Sequence, residues 1–285
     1  KEEARPIGVY VKENKDSNQL IEDFMLLANR KVAEFIGKVP QNNDAKAFVY
    51  RVHDQPLEEK IAKFNEFIQK LGYNLQLSSR KHLAASINNL FIDIEGKGEQ
   101  KLIEQLAIRT MQRAIYAPDN IGHYGLAFKY YTHFTSPIRR YPDLMVHRLL
   151  ERYLAGKPSV NKEELVIKCK HATEMEQRAT EAERNSVKYK QAEFLSDKIG
   201  QTFEGLISGV SKWGIWVELK ENKCEGMVSV KTLTDDFYYL DEENYRYIGQ
   251  HSGKILRLGD DVNVIVRKVD LSKKQIDFAF INKEA

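Results

Sequence analysis

The spacing of apolar residues changes at Gly200: before it they recur every three or four positions, and after it they alternate. The chain therefore divides there into a helical portion and a strand portion. In NQLIEDFMLLANRKVAEFIG, residues Leu20, Phe24, Leu27, Ala28 and Phe35 recur at helical spacing, with Asp16, Ser17 or Asn18 as caps and Gly37 as the stop. AFVYRVHDQP predicts a strand ended by Pro56, and PLEEKIAKFNEFIQKLG a helix with acids in its first turn. Further helices are predicted over about residues 79–90 and 98–115, and through YPDLMVHRLLERYLAG to Gly156. Asn161 and Glu164 form a capping-box pattern that opens a long polar-faced helix reaching about Asp197. Near the start, only IGVYVKE alternates enough to predict a short strand.

Beyond Gly200, TFEGLISGV, GIWVELK, CEGMVSV, DVNVIVRKVD and KQIDFAF are short alternating runs separated by Gly, Asn, Asp and Ser. Five strands in so short a stretch predict a small barrel. The connection over about residues 231–255 holds DDFYYLDEENYRY, which reads as a packed surface loop and is too acidic to track a phosphate backbone unaided.

Composition adds little to this division. With 285 residues there is room for two domains, and 42% hydrophobic with 30% charged residues is a globular balance. No apolar run is long enough for a membrane span and no signal-peptide pattern occurs, so a cytoplasmic protein is the default expectation. The net charge of +3 means that attraction for a polyanion must come from how the basic residues are arranged. Cys169 and Cys224 form no C-x-x-C pair and predict ordinary thiols.

Two stretches carry candidate chemistry. In GVSKWGIWVEL, Trp213 and Trp216 flank Gly214, and a bulge at that glycine would turn both rings to one side. With Lys212, Lys231, Lys268, Lys273 and Lys274 nearby, the rings have the composition of a stacking platform for single-stranded nucleic acid. Filling the barrel core is the other role open to them. In HFTSPIRRYPDLMVHR, Arg139 and Arg140 stand beside Thr135, Ser136 and Tyr141, which is a set suited to gripping phosphate at a helix start. Alternatively one arginine ties down a carboxylate such as Asp143 and the other is solvated. His123, His133 and His147 lack metal-ligand spacing and predict packing roles.

Both stretches also carry a family resemblance. The run from GQTFEGLISGVSKWGIWVEL through LGDDVNVIVRKVDLSKKQIDF resembles the ribosomal S-one type of RNA-binding OB fold. In that family aromatics at the positions of Trp213 and Trp216 stack on bases, while Ser229 stands where many members carry histidine. RTMQRAIY, GHYGLAFKYYTHFTSPIRRYPDLMVHRLL, LIEDFMLLAN and AERNS resemble the ribonuclease II and ribonuclease R family, whose catalytic region is the RNB domain. That resemblance implies a processive 3′-to-5′ exoribonuclease that cuts single-stranded RNA to nucleoside monophosphates with Mg²⁺. It implies Arg139 at the scissile phosphate, Glu22 and Glu183 near the terminal nucleotides, and Tyr141 and Asn29 in the surrounding shell.

The family's Mg²⁺-binding aspartate cluster lies upstream of LIEDFMLLAN and has no counterpart in this sequence. The resemblance thus predicts an α+β chain. Residues 1–198 would be the helix-rich C-terminal part of an RNB domain, and 199–285 a five-stranded antiparallel OB barrel. As given, the chain would bind single-stranded RNA without cleaving it, with no metal of its own, no membrane and no obligate protein partner. The alternative is a non-catalytic single-stranded RNA-binding protein.

Overall fold

A computed structural model describes residues 6–10, 13–39, 45–97 and 99–281. They form two compact units: one is built from Glu13–Ile61 and Thr110–Glu181, the other mainly from Ala62–Arg109 and Ala182–Ala285.

The first unit contains α1 (Asp16–Gly37), the short strands β1 (Tyr50–Val52) and β2 (Ile115–Ala117), α5 (Tyr141–Leu154) and most of α6 (Lys162–Ser196). β1 and β2 pair antiparallel, with Tyr50 opposite Ala117. Phe48, Val49 and Val52 are fully buried and pack with Ala33 and Ile36 of α1, Val146 and Leu149 of α5, and Leu165 and Cys169 of α6. The buried stripe of α1 is Asn29, Ala33 and Ile36. Leu20, Phe24, Leu27 and Phe35, the more apolar residues that define its helical spacing, are exposed. The sequence holds two stripes, and the one that carries Asn29, Ala33 and Ile36 faces the core cluster that β1 and α5 share. Asn161 caps α6 as its spacing predicts, its Oδ1 accepting from the backbone N–H groups of Glu163 and Glu164 at 2.7 and 3.3 Å.

In the second unit, α2 (Glu58–Gln69, which starts within the first), α3 (Arg80–Asp93) and α4 (Gln100–Thr110) bury Phe64, Ile68, Leu90 and Ile103. The end of α6 leads into β3 (Thr202–Ser211), β4 (Gly214–Leu219), β5 (Glu225–Ser229), β9 (Asp261–Asp270) and β10 (Gln275–Phe280), which close in the order β10-β5-β4-β3-β9. All pairs are antiparallel except β5 with β10, which is parallel. An odd number of strands cannot alternate direction all the way round a ring, so one parallel pair is required at closure. Ile207, Ile215, Val217, Val228, Val264 and Phe278 fill the barrel.

Two expectations change. The connection over about residues 231–255 is no plain loop: β6 (Tyr238–Asp241), β7 (Arg246–Gly249) and β8 (Ile255–Arg257) form a three-stranded sheet that packs Tyr247 and Leu256 into the barrel core cluster. Its strands are only three or four residues long, too short for alternation to register. Near the start, Ile7–Tyr10 forms no strand, while Val11 and Lys12 of the predicted stretch lie outside the described residues.

Candidate nucleic-acid interface

In the first unit the Thr135–Tyr141 segment is held from beneath by two buried polar side chains. Asn29, 3% exposed, accepts through Oδ1 from the backbone N–H groups of Phe134 and Thr135 at 2.8 and 3.2 Å, and donates through Nδ2 to the Tyr131 hydroxyl at 3.2 Å. Asp143, fully buried in the first turn of α5, accepts through Oδ1 from the Ser136 N–H and from Arg140 Nη2, each at 2.8 Å. Consecutive backbone donors at 134, 135 and 136 are thus satisfied by side chains rather than by a sheet.

With the backbone fixed, Ile138, Arg139 and Tyr141 point to solvent. Among the described residues Arg139 is steadied by one bond, from Nη2 to Ser136 Oγ at 3.3 Å. The two arginines therefore differ: Arg140 is committed to a buried carboxylate, whereas Arg139 presents its guanidinium outward. Beneath the loop, His133 Nδ1 lies 2.8 Å from the Tyr116 hydroxyl, and Arg51 pairs with Glu176 at 2.7 Å while lying over the Tyr116 ring. Burial, reinforced by the charges of Arg140 and Arg51, pushes the His133 pKa down to about 3. Burial, with His53 nearby, lowers His123 to about 4. His123 Nδ1 accepts from the Leu126 N–H, and His147 stacks on Phe134 at 4.1 Å while bonding its carbonyl. All three histidines have packing and hydrogen-bonding roles. Glu22, on α1, is exposed.

In the second unit Glu183 is exposed on α6, and the barrel carries the remaining candidates. Trp213 is 67% exposed on the β3–β4 turn, with Lys212 Nζ 5.1 Å from its ring centre. Trp216 is half-buried within β4. The bulge that sequence reasoning put at Gly214 lies instead in β3, between Ile207 and Gly209. Gly214 serves another need. With φ at 156° and the Val228 carbonyl against the place a Cβ would occupy, only glycine fits.

Pairing registers set Gly209, Trp216, Met227, Asp277 and Lys268 side by side across all five strands. Gly209 has no side chain to cover the indole, since even a Cβ there would come within 3.4 Å of it. Lys231 is exposed on the turn after β5, and Ser229 sits opposite Gly214. Among the lysines of this unit, Lys188, Lys273 and Lys274 line a cavity of about 220 Å³ together with Trp216, Met227 and Asn185. A larger groove of about 820 Å³, lined by Glu204, Asp235, Asp261, Lys220 and Lys254, holds three carboxylates against two lysines and suits phosphate less well.

Asp235 and Asp236, the acidic pair of the insertion, are structural. Asp236 accepts from the hydroxyl and N–H of Ser252 and from the N–H of His251, which holds its carboxyl far below the usual range. Among the described residues no three His, Cys, Asp or Glu side chains gather as metal ligands. No helix among the described residues is long and apolar enough to cross a membrane.

A closed five-stranded barrel of this order, with tryptophans and lysines on its outer surface, defines an OB-type RNA-binding domain following a helix-rich portion. Residues 196–280 match the S1 RNA binding domain and residues 1–156 match the RNB domain, so the chain belongs to the RNB family. It is similar to ribonuclease R of Aquifex aeolicus, 38% identical over 99% of this chain and 40% of that protein. Ribonuclease R of Escherichia coli is 34% identical over 94% of this chain and 34% of its own length. Among solved structures, the apo form of Mycoplasma genitalium ribonuclease R matches with a TM-score of 0.85 and 28% identity, over 97% of this chain and 44% of that one. The same protein in complex with ribose-methylated single-stranded RNA matches with a TM-score of 0.83 and 27% identity, with the same coverage. The chain thus spans about two fifths of the curated relative it matches at 38% identity.

The clamping role of Asn29 escaped sequence reasoning, whereas the alternative in which one arginine ties down Asp143 and the other is solvated is the arrangement observed, with Arg140 paired and Arg139 exposed.

Proposed function

We propose that this chain is the C-terminal portion of a processive 3′-to-5′ exoribonuclease that cuts single-stranded RNA to nucleoside 5′-monophosphates in the cytoplasm. Its domain boundary lies near residue 198, and the chain by itself binds RNA without cleaving it. The observation that carries this reading is the loop of an RNB-family chain whose backbone is locked by Asn29 and Asp143 while Arg139 faces outward.

A guanidinium so placed can donate two parallel hydrogen bonds to phosphoryl oxygens, stabilising charge that grows in the transition state. Arg140 acts differently, as the residue that holds the loop through Asp143. Tyr141 offers a ring at the same edge. Glu22 and Glu183 take the places of family acids near the terminal nucleotides. The barrel supplies affinity, with Trp213 and Trp216 stacking on bases and Lys212, Lys231 and Lys268 meeting phosphates. Mg²⁺ supplies the water-activating charge in family enzymes, and no step is assigned to it on these residues.

The test mixes the purified chain with end-labelled single-stranded RNA and Mg²⁺. A salt-sensitive complex with intact RNA is expected. Mononucleotide release that follows the chain through purification, or failure to bind RNA, would overturn the reading.

A further inference from the structure

The cavity of about 220 Å³ beside Trp216 lies wholly within the second unit, between the last turns of α6 and the outer face of the barrel. It is smaller than the roughly 300–1,000 Å³ pockets that enclose drug-sized ligands, and has the scale of one planar base. Trp216 and Met227, directly paired across β4 and β5, give it an apolar wall. Lys188, Lys273 and Lys274 stand at its edge, where a sugar-phosphate chain would pass. The Lys273–Lys274 turn is built rather than loose. Asp270 accepts from Ser272 Oγ at 2.7 Å and from the Lys273 N–H at 3.0 Å, and Lys274 takes a left-handed φ of 54° and donates to Asn185 Oδ1 at 3.3 Å.

Two carboxylates are out of keeping with a surface that only attracts phosphate. Asp277 pairs with Met227 on the neighbouring strand, and Glu225 lies two residues before Met227 on the same face; both line the cavity. Ser208, the extra residue of the β3 bulge, donates from Oγ to Glu225 Oε1 at 2.8 Å and so orients that carboxylate. Lys268 stands opposite Asp277 in the pairing of β9 with β10. An ionised carboxylate can only accept hydrogen bonds, so beside a stacked base it favours an edge that donates. Cytosine, adenine and guanine carry an exocyclic amino group. Uracil has carbonyl oxygens on both sides of its single N–H, and these repel a carboxylate.

Resting on the RNA-binding reading above, we propose that this cavity receives one base of single-stranded RNA and selects for an exocyclic amino group. Asp277 and Glu225 accept from that group while Trp216 stacks on the ring. The site thereby discriminates against uridine in a barrel whose stacking alone tolerates any base.

Fluorescence anisotropy with the whole chain and labelled oligo(C) and oligo(U) of equal length isolates this reading, because the two pyrimidines differ little in stacking surface. Oligo(C) is expected to bind about fivefold tighter or more. In the double variant Asp277→Asn, Glu225→Gln oligo(U) should bind more tightly, since negative charge that repels it is removed, and the ratio of the two affinities should fall towards one. Glu221→Gln, the loss of one carboxylate charge at an exposed residue of the β4–β5 turn, should leave the ratio as it is. Equal affinities in the parent, or a ratio unmoved by the double variant, would overturn the base selection and leave RNA binding standing. A parent that binds neither oligonucleotide would overturn both.

Discussion

Asn29→Ala is the sharpest perturbation of the Arg139 loop. The asparagine side chain makes three hydrogen bonds, accepting from the Phe134 and Thr135 amides and donating to Tyr131, at 2.8 to 3.2 Å in a buried setting. Alanine leaves the two amides without an acceptor, at about 1–3 kcal/mol each, and forfeits about 1 kcal/mol at Tyr131. Water entering the vacated space offsets part of this, so the net local cost is about 3 kcal/mol. That corresponds to a roughly hundredfold rise in the opening equilibrium. Residue-resolved hydrogen exchange reads it directly: the amides of Phe134 and Thr135 should exchange about a hundredfold faster in the variant, with those in the middle of α5 unchanged. Asn29→Asp keeps the acceptor oxygens, and the Tyr131 hydroxyl can turn to donate to the carboxylate. It should recover most of the protection and also serves if the alanine variant folds poorly. Unchanged exchange at both amides in a folded Asn29→Ala protein would show that the clamp does not hold the loop, and the argument for a preset Arg139 would fail with it.

Three further outcomes are expected. In a catalytically complete enzyme, Arg139→Lys should slow single-turnover cleavage about a hundredfold or more with little loss of RNA affinity, since an ammonium cannot reproduce the guanidinium fork; a near-normal rate would assign Arg139 a structural role. Trp213→Ala and Trp216→Ala should each weaken single-stranded RNA binding about tenfold, because a stacked base is worth about 1–3 kcal/mol, and added salt should weaken it further; folded variants that bind like the parent would make the rings bystanders. Because the His133 pKa is lowered to about 3, its contribution to stability is complete above the ordinary value of 6.5 and declines as the pH falls towards 3. At about pH 5 the deficit is about 2 kcal/mol, so the parent should lose that much more than His133→Asn in urea titrations between about pH 7.5 and 5; equal losses would refute the assignment.

Much of the architecture follows from local signals in the sequence. The change of spacing at Gly200, the Asn161 cap and the five alternating runs each depend on neighbours in the chain, so they are legible without tertiary contacts. The insertion sheet was not legible, because three- and four-residue strands are specified by their partners rather than by alternation. On α1 two stripes compete, and only the packing partners decide that Asn29, Ala33 and Ile36 face inward while Leu20 and Phe24 do not.

At the sites, sequence supplied the residue types and the tertiary structure assigned their partners. Arg139 and Arg140 are chemically identical neighbours; Asp143, brought beneath the loop by the first turn of α5, takes one and leaves the other outward. The row of Gly209, Trp216, Met227, Asp277 and Lys268 draws its five members from five strands, with 68 positions of chain between Gly209 and Asp277, and exists only once the barrel closes. Hydrogen-bond partners and strand registers are long-range properties. The sequence by itself determined which groups were available, and the closed fold decided which of them meet.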